Sequence, residues 1–119
     1  MFGTSGIRGR VGDKVTAESA LHVGRALASV GYDSVVVGRD ARESGEMLQR
    51  ALVAGITECG GDIIDIGVES TPTIARSVGS IGADAGVAIT ASHNPPEDNG
   101  FKLWSPSGQA FDSAQKREI

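Results

Sequence analysis

The strongest constraint on the fold is an alternation of short apolar strands with amphipathic helices. Patterns typical of buried strands, rich in Val, Ile and Ala, occur at 34–38 (SVVVG), 62–67 (DIIDIG) and 86–91 (GVAITA). Between the first two lies a helical pattern from about Ser44 to Cys59. Such a strand–helix–strand unit is long enough for a right-handed crossover between parallel strands. The sequence therefore predicts an α/β domain.

Further helices and a fourth strand complete this pattern. One helix begins after Thr16, a typical N-cap, and another begins with Thr71 as N-cap and Pro72 as first helical residue. A turn rich in Pro, Asn and Gly, 92–100, leads to a short strand, 101–104, which we expect to fold back antiparallel on its predecessor. The expected architecture is α/β, with helices packed on both faces of a mixed, mostly parallel sheet of about four strands.

Length and composition predict one globular domain, residues 1–119, with 39% hydrophobic and 22% charged residues. The net charge of −4 argues against a nucleic-acid partner. No apolar run approaches the ~20 residues of a membrane span, so we expect no membrane partner. The single cysteine, Cys59, excludes an internal disulfide and is expected to be buried. A cytoplasmic location follows from this cysteine usage.

The last residues suggest a longer protein. Residues 114–119 are good helix formers, but the chain stops after fewer than two helical turns. We therefore expect the 119 residues to be a fragment of a multidomain protein, with the rest of the same polypeptide as its partner. Surfaces exposed in the fragment are expected to favour self-association.

Two polar loops follow strands, at 38–40 and 92–94, and ligands of open α/β sheets bind outside the carboxyl ends of strands. Both loops are equally compatible with ordinary solvated connections. Ser92 is the candidate nucleophile, although a serine in a turn is more often a turn-former. A dyad with His93 is a poor inference, because adjacent side chains point apart in extended backbone. No G-x-S-x-G motif surrounds Ser92.

Lys102 is the cation best placed to reach this serine. If the last strand folds back, Phe101 and Leu103 share one face while Lys102 and Trp104 share the other. Lys102 can then return towards the strand end that carries Ser92, where a phosphate would be stabilised by its charge. An exposed strand lysine without a role is the commoner case.

The Gly-rich entry segment, 1–14, matches neither the dinucleotide fingerprint nor the P-loop. Its backbone N–H groups, together with Thr4, Ser5 and Arg8, can wrap an anion. The alternative is a flexible N-terminal arm. The carboxylates that could serve as metal ligands, which have no diagnostic spacing, are Asp40, Glu97 and Asp98.

Four segments resemble motifs of the α-D-phosphohexomutases: 2–9 (FGTSGIRG), 38–42 (GRDAR), 90–95 (TASHNP) and 98–102 (DNGFK). They occur in the family's order and span nearly the whole chain. The chain therefore resembles the N-terminal domain of this family. The resemblance implies transfer of phosphate between the 1- and 6-positions of a hexose, through a phosphoserine and a hexose bisphosphate that is both intermediate and activator.

The resemblance also implies roles for single residues. Ser92 matches the serine that carries the transferable phosphate, and this phosphate would be one ligand of a catalytic Mg²⁺. Arg8 and Lys102 match basic residues that perform or assist acid–base work at the reacting hydroxyl. Positions implied to contact substrate or to shape the site are Thr4, Ser5, His93, Asn94 and Arg39.

The function implied is that of a phosphomannomutase or phosphoglucomutase, an intramolecular phosphotransferase of carbohydrate metabolism that acts on a sugar phosphate. Phosphoglucosamine mutase is the alternative within the family. A catalytically inert binding module, and a phosphatase or phosphotransferase with another acceptor, also remain open. The family's other metal ligands, sugar-reading loop and phosphate clamp belong to further domains, so the isolated chain is expected to be inactive.

Overall fold

A computed structural model describes residues 7–119, in which strands and helices alternate. The strands are β1 (Ile7–Arg10), β2 (Ser34–Arg39), β3 (Asp62–Val68), β4 (Ala85–Ile89) and β5 (Asp98–Trp104). The helices are α1 (Ala17–Val30), α2 (Gly45–Glu58), α3 (Thr71–Ile81) and α4 (Ser113–Glu118). Within this described range, no helix is both long and apolar enough to cross a bilayer.

The five strands of the described chain form one mixed sheet in the order β1-β5-β4-β2-β3. β2 pairs in parallel with β3 and β4, and β5 pairs antiparallel with β4 and β1. Four strands therefore point the same way and β5 alone opposes them, which confirms a mixed, mostly parallel sheet and the predicted fold-back of the last strand. The additional strand, β1, was not predicted, because its four residues carry a single buried apolar side chain, Ile7.

Helices cover both faces of the sheet, as predicted. On one face α1 and α2 contribute to the larger hydrophobic core, in which Leu27 and Leu52 pack with Val37 and Phe101. On the other face α3 packs on β2 and β4 around Val36 and Val78. Successive side chains of a strand point to opposite faces, so β2 supplies both cores, with Val35 and Val37 on one face and Val36 on the other.

Three local predictions need correction. Cys59 is exposed, not buried, because it caps α2 beyond the last helical residue and no longer faces the sheet. The N-cap of α3 is Ser70, whose hydroxyl accepts from the Thr73 N–H, so Thr71 is already helical. The apolar stripes of α1 and α2 also predict that Val30 and Met47 are buried, but these side chains are 39% and 42% exposed, at the edges of the stripes.

The contact between α1 and α2 depends on two glycines. A Cβ atom at Gly24 would meet the carbonyl oxygen of Leu52 and come within 2.9 Å of the backbone nitrogen of Ile56. A Cβ at Gly55 would meet the carbonyl oxygen of Leu21. Because backbone atoms cannot move aside as a flexible side chain can, the two helix axes approach closely only while both positions lack a side chain.

Gly24→Ala is therefore expected to lower the free energy of unfolding by about 2 kcal/mol, even though alanine is the better helix former. Urea unfolding of the chain measures this. Ser29→Ala, an exposed change on the same helix, should stay within about 0.5 kcal/mol of the original chain. Equal stability of the two variants would show that the helices do not approach as described.

Candidate active site at the strand ends

The candidate site lies where the direction of the chain across the sheet reverses. From β2 the chain moves outwards to the edge strand β3, and then crosses back to β4 on the other side of β2. The crevice between the carboxyl ends of β2 and β4 is thus a topological switch point, where open α/β sheets bind ligands. Asp40 follows β2 and Ser92 follows β4 at this crevice, and the Asp40 N–H donates to the Ile89 carbonyl at 3.2 Å.

Ser92 has an unusual backbone conformation. Its φ of 54° is the one positive value among the non-glycine residues from 7 to 119. A residue with a Cβ in this left-handed region costs roughly 1–2 kcal/mol, so its surroundings must sustain it. The side chain is exposed, and its hydroxyl has no hydrogen-bond partner within the described residues. The described part of the fold therefore presents an exposed hydroxyl at the switch point.

A chain of hydrogen bonds ties Ser92 to the other strand end. The Ser92 N–H donates to the Thr90 hydroxyl at 3.0 Å, and that hydroxyl donates to Asp40 Oδ2 at 2.7 Å. Thr90 is buried and Asp40 is half-buried, so the bridge between β2 and β4 lies beneath Ser92. Asp40 was considered above as a metal ligand, but its carboxylate is occupied by this bridge.

Arg42 binds the loop that carries Ser92. Its guanidinium contacts Asp40 Oδ2 and donates to the carbonyl oxygens of Ser92, Asn94, Pro95 and Asp98. Sequence reasoning placed Arg42 within a family motif but gave it no role. No side-chain pattern marks this contact, because four of its five acceptors are backbone carbonyls 50 to 56 residues away.

The two other predicted residues of this loop differ in their surroundings: His93 faces solvent, and Asn94 contacts the loop itself. Asn94 shapes the loop, since its side-chain amide donates to Asp98 Oδ2 at 3.1 Å and its backbone N–H donates to the Ala91 carbonyl at 3.0 Å. Asp98 was also considered as a metal ligand, and this contact gives it a structural partner instead.

Arg8 lies level with the end of β4. It stands opposite Gly100 in the β1–β5 pair, while the Gly100 carbonyl accepts from the Thr90 N–H on the other side at 3.0 Å. A Cβ at Gly100 would meet the Ile7 carbonyl and lie 2.7 Å from the Arg8 Cβ. The exposed Arg8 side chain therefore lies beside Gly100, where any larger residue would clash with β1.

Lys102 lies two residues beyond Gly100, the residue paired with Arg8, so Arg8 and Lys102 are diagonal neighbours across β1 and β5. Such neighbours are typically about 7–8 Å apart. Both cations lie on the face opposite the core residues Ile7 and Phe101, as the alternation predicted. Lys102 is half-buried, with its ammonium 5.5 Å from the centroid of the Trp104 ring. In this rotamer the ammonium lies towards the start of β4, so the structure brings Lys102 near Arg8 but not into contact with Ser92.

Arg39, the last residue of β2, is directed away from the serine. Its Nη1 donates to Oε1 of the buried Gln49 on α2 at 2.6 Å, and the side chain lines an open depression between α2 and β3. A Cβ at Gly45 would approach the Arg39 Cδ to 2.9 Å, so the start of α2 makes room for this arginine. Arg39 thus links the end of β2 to α2 through this hydrogen bond.

The predicted residues Thr4 and Ser5 lie outside the described residues. Between residues 7 and 119, no group of three or more His, Cys, Asp or Glu side chains is arranged to hold a metal ion. A phosphate on Ser92 would bring oxygen ligands, which Mg²⁺ prefers, to this end of the sheet.

A doubly covered α/β sheet with a strained serine at its switch point is the arrangement in which open α/β domains generally bind ligands at their strand ends. Residues 1–119 match the profile of phosphoglucomutase/phosphomannomutase, alpha/beta/alpha domain I, over the whole chain. The chain belongs to this family, which confirms the resemblance drawn from its motifs.

Individual relatives agree with this assignment. The chain is 55% identical to a probable phosphoglucosamine mutase of Methanopyrus kandleri over 119 residues, which are 99% of this chain and 26% of the relative. It is 49% identical to a probable phosphoglucosamine mutase of Thermococcus kodakarensis, with the same coverage. A solved phosphoglucomutase/phosphomannomutase family structure from Burkholderia thailandensis superposes with a TM-score of 0.82 at 36% identity, covering 98% of this chain and 28% of that one. The chain thus spans about a quarter of the length of its curated relatives.

Proposed function

We propose that this chain is the phosphoserine domain of a longer phosphohexomutase, an intramolecular phosphotransferase that interconverts hexose 1-phosphate and hexose 6-phosphate. The observation that carries the proposal is the exposed hydroxyl of Ser92, which has no hydrogen-bond partner among residues 7–119 and is held in a strained conformation at the switch point. Strain of this kind gathers at functional sites because the surrounding fold must be built to maintain it.

The proposed reaction uses the phosphate on Ser92 as the donor. A hydroxyl oxygen of the sugar monophosphate attacks phosphorus, and the bond between phosphorus and Ser92 Oγ breaks. The sugar hydroxyl gives up its proton to a base, and the serine oxygen takes the bond's electron pair and regains a proton. The resulting bisphosphate turns around and returns its other phosphate to Ser92 by the reverse step.

Arg8 and Lys102 are the described cations suited to assist this transfer. They share one face of the sheet at the level where β4 ends, and each favours the negative charge that develops on the transferring oxygens. Lys102 has to leave the Trp104 ring to act at Ser92. The exposure of His93 and the loop contacts of Asn94 suit substrate contact and loop shaping, respectively.

Mg²⁺ belongs to the proposal only together with further residues. The phosphate of Ser92 supplies oxygen ligands, which Mg²⁺ prefers, and the remaining ligands have to come from the rest of the polypeptide. The metal would neutralise charge on the transferring phosphoryl group. A cytoplasmic location and a hexose bisphosphate activator are also part of this proposal.

For the sugar, we propose glucosamine phosphate rather than the mannose or glucose phosphates first expected. The curated relatives that are 49–55% identical are named probable phosphoglucosamine mutases. The sugar-reading residues themselves lie outside this chain in the proposed whole protein, so the relatives' names are the sole support for this choice.

A substrate panel tests the proposal. The longer protein, assayed with Mg²⁺ and the matching hexose bisphosphate, should turn over glucosamine 6-phosphate at least about tenfold more efficiently, by kcat/KM, than mannose or glucose 6-phosphate. Residues 1–119 alone should read at background. A preference for mannose or glucose phosphate would overturn the choice of sugar. If no hexose phosphate were turned over, the proposal that the protein is a phosphohexomutase would be overturned.

A further inference from the structure

Arg42 has no donor left for a substrate. A guanidinium has five N–H donors. Nε contacts Asp40 Oδ2 at 3.2 Å, Nη1 donates to the Pro95 and Asp98 carbonyls at 2.6 and 3.2 Å, and Nη2 donates to the Ser92 and Asn94 carbonyls at 2.7 and 3.0 Å. Five donors thus meet five acceptors. An anionic substrate could bind here only after the loop had been released.

The side chain is also held in place. Its relative exposure is 13%, against 48% for Arg25, whose guanidinium pairs with Glu58 at the surface. The Arg42 backbone N–H donates to Asp40 Oδ1 at 3.1 Å, so one carboxylate fixes both the backbone and the guanidinium of Arg42. Because Asp40 also accepts from Thr90, the arginine is anchored to both strand ends.

The loop that Arg42 binds has little regular support. Residues 90–97 lie between β4 and β5, and a proline at Pro95 and another at Pro96 remove two backbone donors from them. Four carbonyl dipoles converge on one guanidinium, and the carbonyls of the half-buried Asn94 and Asp98 have the greater need of such a partner. A planar fork with five donors fits this arrangement, whereas a lysine ammonium has three donors and no fixed plane.

We propose that Arg42 is a positioning residue, which holds the backbone of residues 92–98 so that Ser92 keeps its left-handed conformation and presents its oxygen in one direction. This inference rests on the proposed function for its catalytic consequence. Phosphoryl transfer needs the attacking and leaving oxygens in line, and a displacement of about 1 Å can cost roughly 10²-fold in rate. Sugar affinity, set by groups that Arg42 does not touch, should change little.

The test uses Arg42→Lys and Arg42→Ala in the longer protein, with Arg25→Ala as a matched control that removes an exposed, paired arginine. We expect both Arg42 variants to lower kcat by about 10²-fold or more, to slow the gain of phosphate by Ser92 from hexose bisphosphate, and to leave KM within about threefold. Amide hydrogen exchange should become faster in the peptide covering residues 91–98 and stay unchanged elsewhere. Arg25→Ala should match the original protein in each measurement.

Three kinetic outcomes would overturn the inference. Wild-type kcat in Arg42→Lys would show that charge alone suffices. A raised KM with unchanged kcat would make Arg42 a substrate-binding residue, and a kcat loss no larger than the unfolded fraction would make its role one of global stability. If the original protein neither turns over hexose phosphate nor gains phosphate on Ser92, the proposed function fails. The exchange experiment then tests by itself whether Arg42 holds the loop, and unchanged exchange at 91–98 in the Arg42 variants would overturn this inference.

Discussion

Ser92→Ala in the longer protein is expected to reduce hexose phosphate turnover by about 10⁴-fold or more, because the variant has no oxygen to carry the phosphate between the two half-reactions. The loss should appear in kcat, measured in a coupled assay with bisphosphate activator. Folding should be unaffected, since the Ser92 hydroxyl has no partner within residues 7–119 and alanine bears the same Cβ in the left-handed conformation.

Ser80→Ala is the matched control. Ser80 is an exposed serine whose hydroxyl, among the described residues, donates to carbonyls of its own helix, α3, so its removal should leave kcat unchanged. If Ser92→Ala kept more than about a tenth of the original kcat, the phosphate carrier would be another residue. If the melting temperature of Ser92→Ala were far below that of Ser80→Ala, the role of Ser92 would be to stabilise the fold.

Lys102→Ala is expected to lower kcat by about 10²–10⁴-fold, the range for losing a charge or proton donor at the reacting oxygen. Stability should fall only slightly, because the described side chain contributes one cation–π contact with Trp104, worth about 0.5–1 kcal/mol. Steady-state kinetics and thermal unfolding of the longer protein measure the two effects separately.

Two variants sharpen the interpretation of this result. Lys14→Ala removes an exposed lysine beside Gly9 and should have no kinetic effect. Lys102→Arg keeps the positive charge but cannot give up a proton at neutral pH, so we expect it to recover only part of the lost rate. Near-normal kcat in Lys102→Ala would leave this residue with its contact to Trp104 and no part in the reaction.

Much of the fold could be predicted because its determinants are local. Thr16 was expected to cap α1, and it does so through a reciprocal pair of hydrogen bonds with Ser19. The buried strands were visible as β-branched runs. β1 was missed because Arg8 and Arg10 are exposed, and its pairing with β5 depends on residues about 90 positions away. Cys59 was misplaced because a helical pattern does not reveal in which turn a helix ends.

The site was predictable in position but not in its connections. The rule that ligands bind at strand ends located Ser92, and the alternation along β5 placed Lys102 on the face opposite Phe101. The role of Arg42 was hidden, since it depends on backbone carbonyls that every sequence contains. Likewise, no pattern predicted that Thr90 would join Ser92 to Asp40, because that bridge exists only once β2 and β4 are neighbours.

The central claim is that Ser92 carries the transferred phosphate, and peptide mass spectrometry of the longer protein tests it most directly. After incubation with hexose bisphosphate, we expect one phosphate per chain, on the peptide that contains Ser92, and its loss when hexose monophosphate, the acceptor of the proposed reaction, is added in large excess. Ser92→Ala should gain none. A phosphate mapped consistently to Ser5 or Thr90, or turnover by a protein that never carries phosphate on Ser92, would contradict the account.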